Sequence, residues 1–186
     1  MIPVLFCTED SIYKKLGCNV YDEKRNALTW SGNEPAIYHP PCRLWSRMRT
    51  FSTADESEKY FALWAVNKVR SYGGILEHPG SSNLFNFMNL PKPGSSDEFG
   101  FTIEIDQFNY GHLARKRTWL YICGIECQQV EPLLSKKIPA RVKYVCSSSK
   151  SGGKPELNQK ERNKTPIRMA KAFVKIIEKI NNSKHV

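Results

Sequence analysis

Two consecutive prolines, Pro40 and Pro41, constrain this chain more than any other feature. Proline fixes φ and disfavours helix at the residue before it, so the backbone around Cys42 is held open and extended. Ala36 to His39 reads as a buried strand that the prolines end, in the segment Tyr38-His39-Pro40-Pro41-Cys42-Arg43-Leu44-Trp45-Ser46. A thiol delivered to the mouth of a sheet is placed as a nucleophile would be. Free cysteine is also a common small buried hydrophobe, and both readings stand on this segment alone.

Strand and helix alternate along the rest of the chain. Pro3 to Thr8 is a short apolar strand, Asp10 to Leu16 a turn of helix stopped at Gly17, and Cys18 to Tyr21 a second strand closing on Asp22-Glu23. Arg43 to Asp55 carries Arg43, Arg47 and Arg49 with little periodicity and reads as a basic loop. Glu56 to Tyr72 has an acidic start that complements the helix dipole. Its Phe61, Trp64, Ala65 and Val69 recur at helical spacing, and Gly73-Gly74 ends it. Ile75 to Pro79 is a strand carrying Glu77, and residues 80–100 read as a looser region. Thr102 to Phe108 and Arg117 to Ile125 are strands close enough in sequence to pair antiparallel. Residues 147–164 form a linker. Thr165-Pro166 then opens a helix with Ala170, Phe173, Val174 and Ile177 on one stripe.

This pattern predicts an open α/β sheet, mostly parallel, with an antiparallel hairpin towards its C-terminal end. Ligands of such sheets gather beyond the carboxyl ends of the strands, where Asp22, Cys42 and Glu77 should all rise. Residues 1–130 form the main domain, with 14 Lys/Arg against 14 Asp/Glu; residues 131–186 form an extension with 14 against 4, which holds the whole net charge of +10. A basic block of this kind suits phosphate contacts, and points to nucleic acid as the partner. A solvated lysine-rich tail has the same composition. No apolar run approaches the roughly 18 residues of a membrane span. The N-terminus lacks the basic leader of a signal peptide. Six scattered cysteines fit reduced thiols in a cytoplasm better than a disulfide framework.

Three segments carry a family resemblance. Pro41-Cys42-Arg43-Leu44-Trp45-Ser46 resembles the Pro-Cys-Gln-x-Phe-Ser signature of the DNA cytosine-5 methyltransferases, with Arg43 for the glutamine and Trp45 for the phenylalanine. Leu76-Glu77-His78-Pro79, 35 residues from Cys42 to Glu77, is similar to the Glu-Asn-Val motif. Tyr110 to Gly124 resembles the Gly…Gln-x-Arg-x-Arg…Gly strand motif. The resemblance spans residues 40–124 and implies a Rossmann-like, methyltransferase-type sheet in a compact, phage-type relative. It implies Cys42 as the nucleophile on C6 of cytosine and Glu77 as the partner of N3. Arg43, Ser46, Arg115 and Arg117 would contact the substrate, with Arg43 helping to keep Cys42 ionised. S-adenosylmethionine would be the methyl donor, its ribose on Asp22 (or Glu23), and DNA the partner.

The chain also departs from that family. Cys7-Thr8-Glu9-Asp10 stands where the family has a Phe-x-Gly-x-Gly loop, one βα unit before Cys42 is missing, and too few residues follow Gly124 for a target-recognition domain. Two functions therefore compete: a pyrimidine-directed enzyme, and a non-catalytic nucleic-acid-binding protein that keeps the fold without the cofactor. A further alternative is a metal site made of His39, Cys42, His78 and His112.

Overall fold

The computed structural model describes residues 1–46, 49–80, 82–134, 142–146 and 153–183. Arg47 and the first part of the expected linker, 147–152, lie outside them. So do Lys136, Lys137, Arg141, Lys150 and Lys184 of the basic extension.

Among the described residues the strands are β1 (Pro3–Cys7), β2 (Asn19–Asp22), β3 (Ala36–Tyr38), β4 (Gly74–Pro79), β5 (Gly100–Asp106) and β6 (Arg117–Cys123). They form a 6-stranded sheet in the order β2-β1-β3-β4-β6-β5. Pairs β1–β2, β1–β3 and β3–β4 are parallel, while β6 is antiparallel to both of its neighbours. This is a mixed α/β sheet, mostly parallel, with the expected antiparallel hairpin. The strand order reverses between β1 and β3, and such a reversal opens a crevice at the carboxyl ends of the strands.

Helices α1 (Ile12–Lys15), α2 (Lys59–Tyr72), α3 (Asn83–Phe87), α4 (Cys127–Val130), α5 (Gln159–Asn163) and α6 (Ile167–Ser183) complete the fold. Two apolar clusters sit on opposite faces of the sheet. One joins Leu5, Tyr38, Leu76 and Tyr121 to Ala62, Ala65, Val66 and Val69 of α2; the other joins Val4, Ile37, Ile75 and Ile122 to Phe173, Ile176, Ile177 and Ile180 of α6. Neighbouring residues of one strand thus feed different clusters, as a side-chain period of two requires. Helix α6 is part of the core: Ala170, Phe173, Ile176, Ile177 and Ile180 are fully buried.

Gly73 ends α2 at φ 84, and at Gly74 a Cβ would lie 2.0 Å from the Ala36 carbonyl oxygen. That close approach lets β4 pair with β3. Three short helices, α3, α4 and α5, appear where the sequence suggests none. Ser82 caps α3 by accepting from Leu84 N–H, and in α5 the Asn158 and Glu161 side chains form a reciprocal capping box. The connection from β2 to β3 holds only a 3-10 turn at Ala27–Thr29, and its Trp30 is buried against the α2 face.

Candidate functional site

Parity builds the site. Ile37 pairs with Ile75 and Tyr38 with Leu76, so one residue further His39 comes level with Glu77. Both follow the isoleucines onto the α6 face, and Thr118 joins them because it shares the β6 face of Leu120 and Ile122. A polar row therefore caps an apolar one at the carboxyl end of the parallel strands. His78, one residue on, faces the opposite side: it is fully buried, and its Nδ1 lies 2.7 Å from Ser82 Oγ.

The Glu77 carboxylate is gripped on both oxygens. His39 Nδ1 lies 3.0 Å from Oε2, and Gln107 Nε2 donates to Oε1 at 2.9 Å. Gln107 Nε2 also donates to Thr118 Oγ1 at 2.9 Å, and the Thr118 hydroxyl donates to the Lys116 carbonyl at 3.1 Å. On the far side of the imidazole, His39 Nε2 lies 3.1 Å from the hydroxyl of buried Tyr13. Burial alone would raise the carboxyl of Glu77. The His39 hydrogen bond, with the charges of Lys116, His39 and His78, outweighs it and brings Glu77 down to about 2. Glu77 is therefore a carboxylate at neutral pH.

Cys42 lies half-buried beside this row. Its carbonyl accepts from the N–H groups of Trp45 and Ser46 at 3.0 and 2.9 Å, so Cys42 opens a helical turn that the buried Leu44 and Trp45 anchor. Burial, and next the negative charge of Glu77, push its thiol up, against smaller opposing effects of Lys116 and Arg43. Cys42 thus rests as a thiol, and Arg43 does not keep it ionised. The guanidinium of Arg43 is instead paired with Glu58 at 2.7 Å.

Cys42, Glu77, His39, Gln107 and Lys116 line one cleft of about 510 Å³ beyond the ends of β1, β3 and β4. Its other wall is the tip of β1 facing α5 and the residues after it. Lys160 of α5 pairs with Asp10 at 3.3 Å, and Lys116 Nζ donates to the Arg162 carbonyl at 3.1 Å. At the tip of β1, Phe6 takes a left-handed φ of 62 where the β1–β2 register shifts. An aromatic side chain there is a backbone outlier of the kind that gathers at functional sites.

The remaining expected site residues lie apart from Glu77. Arg117 shares its face of β6 with Trp119 and Tyr121, and the side chains of Arg117 and Trp119 both donate to Glu104. Arg115 reaches Asp106 at 3.4 Å. Ser46 Oγ donates to the Arg43 carbonyl at 3.5 Å. The carboxylate of Asp22 accepts from Lys14 Nζ at 2.7 Å and from the N–H groups of Lys24 and Arg25, while Glu23 lines the cleft. Among the described residues no three His, Cys, Asp or Glu side chains are grouped as metal ligands. His39 and His78 point to opposite faces, and His112 Nδ1 lies 2.8 Å from the Ala114 carbonyl. All six cysteines are free. No described helix is long and apolar enough to cross a membrane.

No model of a known protein family, no curated protein and no solved structure matches the chain.

Proposed function

We propose that this is a pyrimidine-directed, DNA cytosine-5 methyltransferase-like protein on a Rossmann-like sheet, which takes a cytosine of nucleic acid into the cleft and adds Cys42 to its C6. The observation that carries this reading is that Cys42 and Glu77 line the same cleft at the switch point of the sheet. Cytosine C6 becomes electrophilic when N3 gains a proton, so a thiol and a carboxylate must meet one ring from different sides. The Cys42 sulfur forms the bond to C6 and the C5=C6 pair shifts into C4–C5. The C4=N3 pair moves onto N3, which takes the thiol proton relayed by Glu77. The reverse flow of electrons releases the base unchanged. A base in a duplex must first be unstacked, and acting on single strands removes that cost.

The methyl donor that the resemblance implies does not fit the residues present. The Asp22 carboxylate is taken up by Lys14 and two backbone N–H groups. Side chains of Thr8 and Asp10 occupy the place where a glycine loop would let backbone approach, and Lys160 braces Asp10. No step is therefore assigned to S-adenosylmethionine. The phosphate backbone has cations to meet: Lys15, Arg43, Lys116 and Lys164 line the cleft. The Arg43, Arg115 and Arg117 side chains are 59%, 74% and 63% exposed in their ion pairs. Such pairs hold only about 0–1 kcal/mol each, so phosphates can compete for these arginines.

A second reading, a non-catalytic nucleic-acid-binding protein, is favoured by two observations. Cys42 rests as a thiol, and both oxygens of Glu77 are already occupied. Oligonucleotides carrying 5-azacytosine, whose ring nitrogen activates C6 towards thiols, separate the two. The enzyme reading expects a covalent adduct by mass spectrometry that Cys42→Ser abolishes. Salt-sensitive binding with no adduct would sink the enzyme reading and leave the binding one.

A further inference from the structure

We propose that His39, backed by Tyr13, is the positioning residue of Glu77: its Nδ1–H holds the carboxylate. The proposal rests on the reading of Glu77 as the group that faces the base.

The bond directions follow from the partners. A carboxylate only accepts, so Nδ1 must carry the proton. Nε2 then has two possible states. In the neutral ring it is a lone pair that accepts from the Tyr13 hydroxyl; in the imidazolium it is an N–H that donates to the same oxygen. A hydroxyl can do both by rotating. Tyr13 is fully buried, and its hydroxyl has this partner to satisfy it. The plane of the imidazole is set from α6, where Phe173 lies 6.3 Å away with its ring 19° from parallel. His39 thus has a fixed plane, a fixed tautomer and a fixed acceptor. Because Nε2 is turned to Tyr13, His39 makes no hydrogen bond to Cys42, which distinguishes the arrangement from a cysteine–histidine nucleophile pair. Gln107 completes the grip, since both groups bonded to its Nε2 act as acceptors. The groups that face Glu77 are His39 from β3, with Tyr13 of α1 behind it, Gln107, Lys116 and Cys42; the charged guanidinium groups of Arg115 and Arg117 bond Asp106 and Glu104 instead.

The test uses the full chain labelled with ¹⁵N-histidine. The ring nitrogens of His39 should report Nδ1 protonated and coupled to an acceptor, a tautomer that Tyr13→Phe should keep; Glu77→Gln, whose amide can donate as well as accept, should broaden it into a mixture. An Nε2–H tautomer in the wild type would overturn the proposal. With 5-azacytosine oligonucleotides at saturating concentration, His39→Ala should slow adduct formation on the order of 100-fold, the cost of a misplaced group. His39→Asn, whose amide N–H can stand where Nδ1 does, should restore most of the rate. An Ala variant as fast as the wild type would also overturn it. If the Ala variant does not fold, the tautomers of the wild type and of Glu77→Gln still decide. If the wild type forms no adduct but shows the Nδ1–H tautomer, the catalytic reading fails and the positioning of Glu77 stands.

Discussion

Replacing Glu77 by glutamine should change how the stability of the fold depends on pH. The folded carboxyl lies at about 2 against an ordinary 4.5, because the His39 hydrogen bond and the positive groups around it overcome burial. A folded value below the unfolded one means that the contribution is full above about pH 4.5, and is lost as pH falls through the folded value near 2. A drop of this size corresponds to about 3 kcal/mol at neutral pH. Only 13% of the side chain is exposed, so solvent screening removes little of it. Urea unfolding of the wild type and Glu77→Gln, followed from pH 6 to 2, isolates this group from the other carboxylates by difference. The advantage of the wild type should shrink by most of that amount between pH 5 and 2. A difference between the two proteins that stays constant across this range would mean that His39 and its neighbours do not hold the folded carboxyl down. His39→Ala should flatten the same dependence, because the leading interaction that holds the carboxyl down is gone.

Phe173→Ala empties a fully buried site between α6 and His39 and should cost about 3–5 kcal/mol in urea unfolding, a loss that a peripheral tail would not show. Burial pushes the thiols of Cys7 and Cys123 up to about 12, so alkylation of the native protein at pH 8 followed by peptide mapping should spare both. Arg117→Ala should change stability by less than about 1 kcal/mol, since its pair with Glu104 is exposed. If Arg117 is released to a phosphate, the same variant should lower the slope of log affinity for DNA against log salt by about 1.

The strands, α2 and α6 were legible because each obeys its own period. Continuous apolar runs mark β1 and β3, and the Ala170-Phe173-Ile177 stripe marks the buried face of α6. The convergence of Cys42 and Glu77 on one cleft was legible from the strand ends alone. The partners of Glu77 were not. His39 and Glu77 share a face because Ile37 and Ile75 do, and that register is a property of the pairing rather than of either segment. The same parity sends Arg117 to the face of Trp119, away from Thr118 and Glu77. Arginines two apart thus looked like a binding pair but pair outward with acids. Gln107 sits just past β5, where a strand read on to Phe108 hides the turn that Asp106 caps. The Asn158…Glu161 spacing was the available signal for α5, masked by the polar composition around it. Phe6 breaks the local rule that bulky residues avoid positive φ, so no propensity scale would place it there.

The most direct test of a Cys42–Glu77 pair acting on cytosine is exchange at C5, which needs no methyl donor. Once sulfur is bonded to C6, C5 is nucleophilic and takes a proton from water; losing the original hydrogen and then the sulfur returns the base. Nucleic acid carrying cytosine tritiated at C5 should therefore release tritium to solvent in the presence of the protein, more slowly with Glu77→Gln and not at all with Cys42→Ser. Release by the wild type no faster than by Cys42→Ser, with nucleic acid bound, would contradict the account.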